Sequence, residues 1–126
     1  MEKMAIRTDK AAKPVGAYVH AKKAGNLVFL SGVGPRHPET DEIPDGIEAQ
    51  THATFSNVMA ILKAAGLDMS NVIDIMVFLT NMERDFKKFN SIYAQYLEGY
   101  ETTRTTVEVG ALPTPIAVEF KVVAKK

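Results

Sequence analysis

The sequence contains no cysteine. That excludes a disulfide framework, a thiolate nucleophile and any cysteine-held metal, and it suits a reducing compartment. There is no excess of either charge: fifteen Lys+Arg face fifteen Asp+Glu. Zero net charge argues against a chain that binds nucleic acid or membrane surfaces by bulk electrostatics, and it leaves little repulsion against self-association. No apolar run approaches the ~20 residues of a membrane span. The opening MEKMAIRTDKAAK is too polar for a signal peptide, so the expected location is the cytoplasm. Internal repeats, low-complexity tracts and Gly/Ser linkers are missing. G-x-G-x-x-G and P-loop patterns are missing too, which leaves a nucleotide cofactor unsupported. His20, His37 and His52 fall in neither HxH nor HExxH spacing, so no metal site is expected. Ser31-Gly32 lacks the G-x-S-x-G frame of a nucleophile elbow.

What is present suits one domain spanning residues 1–126. A chain of 126 residues, 46% hydrophobic, can bury a single core without staples. Two short β-prone runs, Tyr18–Lys22 and Leu27–Ser31, flank Gly25-Asn26, a hairpin signal. Gly34–Gly46 holds three prolines and several charges and reads as a loop, long enough to suggest a function. Ile47, Thr51, Phe55, Val58, Leu62 and Ala65 recur at helical spacing, predicting a helix over Ile47–Ala65 that Gly66 ends. Asn71–Thr80 is β-branched and nearly all apolar, as expected of a strand covered on both faces. Asp85 is the expected N-cap of a second helix with an inner stripe of Phe86, Phe89, Asn90, Tyr93 and Leu97. Strands Arg104–Val109 and Ile116–Ala124 follow, linked by GALPTP. The order β-β-α-β-α-β-β predicts an α+β fold: one mixed sheet with two helices packed on one face as crossovers. The last strands carry apolar residues beyond what one helix layer covers, and an open face of that kind invites oligomerisation.

Few residues stand out as chemical. Arg104 opens a strand; its guanidinium is a rigid fork suited to a carboxylate, although a surface arginine at a strand end is the commoner reading. Glu119 lies in the apolar run IAVEFKVVA. It is a sheet carboxylate in the commoner reading, or a partly desolvated base in the sharper one. Tyr18, Tyr93, Phe86 and Phe89 read first as core residues.

Several segments taken together resemble the RidA (YjgF-type) family. They are PVGAYVHA, NLVFLSGVGP with PETDEIP, IEAQTHATFSNVMAILKAAGLDMSNVIDIMVFLTNM, DFKKFNSIYAQYL and TRTTVEVGALPTPIAVEFKVVA. They occur in order over nearly the whole chain, and R-x-x-V-E-V-x-x-L-P is the most specific of them. The resemblance implies a chorismate-mutase-like fold and a homotrimer with a central barrel and clefts between subunits. It implies cofactor-free hydrolysis of carboxylate-bearing enamines and imines to 2-oxo acids and ammonia. By position, Arg104 matches the family's carboxylate-binding arginine and Glu119 the acidic residue linked to the catalytic water. Tyr18, Gly32 and Asn90 match further pocket positions, and Ser31 and Thr106 are expected beside them. Two departures bear on substrate choice. Val33 stands where many members have Gln after Ser-Gly, and Thr106 where many have Cys. The loop GPRHPETDEIP further resembles the 2-aminomuconate deaminases. Their conjugated dicarboxylate substrates call for a second cation, which Arg36 or His37 would supply. A general 2-aminoacrylate-type deaminase and a non-enzymatic ligand-binding or chaperone-like trimer are the alternatives; an RNA-directed role suits the neutral charge poorly.

Overall fold

The computed structural model describes residues 4–126. Strand β1 (Ala5–Ile6) leads into β2 (Ala21–Ala24), β3 (Leu27–Leu30), α1 (Ile47–Ala64), β4 (Val72–Leu79), α2 (Met82–Leu97), β5 (Thr103–Glu108) and β6 (Val118–Lys125). The six strands form one sheet in the order β1-β2-β3-β6-β4-β5. Among the described residues only β4 and β5 pair in parallel, and α2 is their crossover. β6 returns between β3 and β4, antiparallel to both, so α1 also joins two strands of like direction. This is the α+β arrangement expected from the element order.

Both helices cover one face. Phe120 of β6 sits at the junction, its ring 4.9 Å from that of Phe55 on α1 and 6.0 Å from that of Phe89 on α2. Val118, Phe120, Val122 and Ala124 alternate into this layer, and Ile75, Val77 and Leu79 do the same from β4. Among the described residues nothing covers the opposite face. Phe29, Ile73, Met76 and Val107 are 38%, 44%, 37% and 36% exposed. The nearly all-apolar β4 therefore has only one of its two expected covers.

Local chemistry accounts for the places where the elements differ from expectation. The first hairpin is shifted: Ala24 pairs with Leu27 across Gly25, whose φ of 61° only glycine adopts freely, and the strand starts at Ala21 rather than Tyr18. Tyr18 instead belongs to a turn, its hydroxyl accepting the Val15 N–H at 3.1 Å. The cap of α2 is Asn81, not Asp85, because the Asn81 side chain reaches the Arg84 N–H at 3.0 Å. Asp85 lies one turn in, 2% exposed, and is gripped by Arg84 through two bonds of 2.7 and 2.8 Å. Strand β1 has no strong sequence signal; two residues at a sheet edge are too few to show a period.

Candidate active site

Register places Arg104 opposite Ile75 of β4, and Glu119 opposite Phe78. Those two β4 positions are three residues apart, about 10 Å along the strand, and three residues is an odd step in a period of two. The two side chains therefore leave opposite faces of the sheet. Arg104 points to the helix side, its guanidinium carbon 4.6 Å from the Tyr93 ring centre and 5.9 Å from those of Phe86 and Phe89. Glu119 alternates with the buried Val118 and Phe120 and points the other way.

Around Arg104 the helix side provides orientation without neutralisation. Three ring faces hold the cation over α2, an attraction that leaves the nitrogens free. One of them, Nη1, donates to Asn90 Oδ1 at 2.8 Å. Thr106, opposite Val77, lines the same open depression with Phe86 and Lys87. The Thr106 hydroxyl and the Tyr93 hydroxyl are buried without a hydrogen-bond partner among the described residues. Burial pushes the Tyr93 pKa up to about 12, outweighing the opposite pull of Arg104, so the phenol stays neutral.

Glu119 belongs to a second half-site, a cavity of about 90 Å³ shared with Tyr18, Ser31, Gly32 and Arg36. That space holds several water molecules or a small polar fragment. Half-burial raises the Glu119 pKa above its ordinary value, and among the described residues no hydrogen bond or ion pair offsets the desolvation. Its carboxylate packs directly on Gly32: a Cβ placed there would lie 2.7 Å from Oε2. Ser31 is on the wall, but its hydroxyl proton is donated to the Val19 carbonyl at 2.6 Å. Arg36 is on the cavity wall. His37 does not line it; its Nδ1 accepts the N–H groups of Glu39 and Thr40 at 3.1 and 3.2 Å and folds the loop on itself.

Thus the expected residues are all present but divided. Arg104, Asn90 and Thr106 form one group, and Tyr18, Ser31, Gly32, Arg36 and Glu119 the other. Sequence reasoning missed Asn57, which is 3% exposed on α1. Its Oδ1 accepts the Ala12 N–H at 3.1 Å, and its Nδ2 donates to the carbonyls of Gly34 and Arg36, both at 2.8 Å. One side chain thus ties together two walls of the cavity. The signal was available: a polar residue one position from the apolar stripe of a helix needs partners. His20, 8% exposed, braces the same wall through Nε2 and the Ala12 carbonyl at 2.8 Å.

Comparisons with known proteins agree with this architecture. Residues 8–126 match the family model described as Endoribonuclease L-PSP. A RutC family protein of Pyrococcus horikoshii is 42% identical, with 98% of each chain covered. The Escherichia coli protein named putative reactive intermediate deaminase TdcF is 35% identical over 97% of this chain and 96% of its own. Its crystal structure with bound serine superposes with a TM-score of 0.91, covering 98% of this chain and 99% of that one. RidA from an Antarctic Psychrobacter gives a TM-score of 0.94 at 36% identity, covering 98% of this chain and all of the other. With near-complete coverage in both sequence and fold, the chain belongs to the Endoribonuclease L-PSP family, the RidA/YjgF family.

Proposed function

We propose that the protein is a cofactor-independent deaminase of carboxylate-bearing enamines and imines, built as a homotrimer with each site shared between neighbouring subunits. The observation that carries the reading is the division of the site. A carboxylate-binding fork and a desolvated carboxylate base lie on opposite faces of one sheet, so only two copies of the chain can bring them together. The exposed strip of Phe29, Ile73, Met76 and Val107 supplies apolar surface for such an assembly. A cysteine-free chain fits a cytoplasmic setting.

In this reading Arg104 of one subunit holds the substrate carboxylate bidentately, its plane set by the three rings and Asn90. The enamine takes a proton on its far carbon and becomes an imine. Glu119 of the neighbouring subunit withdraws a proton from a water molecule as that water adds to the imine carbon. The same proton passes to nitrogen; as the C–N bond breaks, the new hydroxyl gives its proton to Glu119 and becomes the 2-oxo group, ammonia leaves, and that proton returns to solvent to replace the one taken up at carbon. Burial suits Glu119 to this, because a base with a raised pKa accepts a proton more readily near neutrality. Much of the rate comes from positioning an already reactive substrate.

The relatives support the broad class of reactive enamines and imines and do not single out 2-aminomuconate within it. The relative TdcF is named a reactive intermediate deaminase and was crystallised with serine, a monocarboxylate. The family description also names an endoribonuclease. A neutral chain without a basic aromatic patch gives that activity little support.

Mixing inactive variants tests both the chemistry and the shared site. Arg104→Ala and Glu119→Gln should each release almost no ammonia from 2-aminoacrylate generated in the assay. Unfolded together and refolded, they should regain roughly a quarter of the wild-type sites, because random assembly pairs an intact arginine with an intact glutamate at that frequency. No recovery in mixed trimers would place both residues in one chain's site, and wild-type protein inactive on every enamine and imine would end the deaminase reading.

A further inference from the structure

The Glu119 cavity contains a cation that the proposed reaction does not use. Arg36 lines it, with its side chain only 20% exposed. Both ends of the residue are held. Its carbonyl accepts the Asn57 amide, fixed on α1. Its Nη1 donates to the Asp41 carbonyl at 2.8 Å. Asp41 sits at φ 64°, an unusual conformation for a residue with a side chain, and the loop around it is closed by His37 and by the backbone bond from the His37 N–H to the Glu42 carbonyl. Such a loop is built to keep a guanidinium in one place.

The charge on that guanidinium remains largely available. The Asp41 carboxylate is 3.5 Å from Nη1 and 69% exposed, so water screens it and the pairing is weak. The stronger bond is to a neutral carbonyl. Among the described residues, Nε and Nη2 have no partner, since both contacts are made by Nη1. Together they form the side-on edge of the fork, and the same edge grips Asp85 in Arg84, at 2.7 and 2.8 Å. A second carboxylate that reached this edge would meet the same fork geometry.

We propose that Arg36 binds a second acidic group on the substrate, so that this member of the family prefers dicarboxylate enamines and imines over monocarboxylate ones. The inference rests on the reading of the cavity as the place where substrate meets Glu119. Arg104 takes the carboxylate next to the reacting carbon, and Arg36 takes the distal one. Lys13, exposed on the cavity wall, adds positive potential at the mouth. Substrates lacking the distal acid leave the Arg36 edge to water and gain nothing from it.

Equilibrium binding of the product acids tests this separately from turnover. The probes are 2-oxoglutarate and 2-oxobutyrate, titrated by calorimetry into wild-type trimer and into Arg36→Gln, which keeps a donor for the Asp41 carbonyl and removes the charge. The wild type should bind the dicarboxylate about 10- to 150-fold more tightly, the range of one charge-assisted hydrogen bond. Arg36→Gln should bring that ratio close to one. A wild-type ratio near one, or a ratio that survives in the variant, would overturn the assignment, including when both affinities fall together. The same pair of proteins is then assayed on the imines of the two acids. Dicarboxylate preference in binding with no hydrolysis of either imine would leave Arg36 as an acid-binding residue and remove the deaminase reading instead.

Discussion

Replacing Gly32 by alanine puts a single methyl group against the proposed base, and the consequence can be worked out from the geometry. The added Cβ would lie 2.7 Å from Glu119 Oε2 and 3.0 Å from Cδ, where ordinary contact begins at 3.4 Å. The carboxylate must therefore retreat by about 0.7 Å. Gly32 is not in a left-handed conformation, so its backbone accepts a side chain without strain. The burden falls on the free end of one flexible side chain, at a cost of roughly 0.5–1.5 kcal/mol for a strained rotamer. Folding should survive; catalysis should not. A displacement near 1 Å costs on the order of 10²-fold, so kcat should fall tens- to a hundred-fold with stability nearly unchanged. The control is the double variant. Glu119→Gln alone should lower kcat by roughly 10²–10⁴-fold, and adding Gly32→Ala to it should cost little more, because the methyl then displaces a group that no longer works. The assay is ammonia release from an enamine generated in the cuvette, beside thermal unfolding at matched protein concentration. Full kcat in Gly32→Ala, or fully multiplicative losses in the double variant, would refute the link between Gly32 and the position of the Glu119 carboxylate.

Glu119→Gln also makes a stability prediction with a definite sign. Burial raises the folded-state pKa, so the folded protein favours the protonated acid, and wild-type stability falls as pH rises from the unfolded value through the raised one. The Gln variant carries no such charge and should be the more stable protein at neutral pH, with the gap closing below about pH 4. Urea midpoints measured across that range check it, and a pH-independent gap would contradict it. In the wild type, kcat/KM should fall in acid with a midpoint above the ordinary 4.5 of a glutamate, where the base becomes protonated. Asn57→Ala removes three hydrogen bonds to backbone groups, which at roughly 0.5–1.5 kcal/mol each amounts to about 1.5–4.5 kcal/mol of stability. Asn57→Asp should be worse, since it sets a carboxylate against two carbonyl oxygens; denaturant unfolding that ranks the two the other way would show that the clamp relaxes.

The sequence by itself determined the elements and their order, except for the two-residue β1. Helical spacing in Ile47–Ala64 and the apolar run of β4 are local patterns, set by which side chains must leave water, and they need no knowledge of the neighbours. The crossovers followed, because parallel strands need a helix-length connection. Arg104, Glu119 and the pocket residues were legible only through a resemblance, since a single Arg or Glu in a strand has no periodic signature. The exchange of Asp85 for Asn81 as cap, and the shift of the first strand away from Tyr18, turned on which side chain reached which backbone N–H. Tertiary structure alone decided the faces. Pairing β6 antiparallel to β4 set Glu119 beside Phe78, and pairing β5 parallel set Arg104 beside Ile75. Because side chains alternate along a strand, those two registers send the acid and the arginine to opposite sides. Register is a relation between distant segments of the chain, and no stretch of sequence carries it alone.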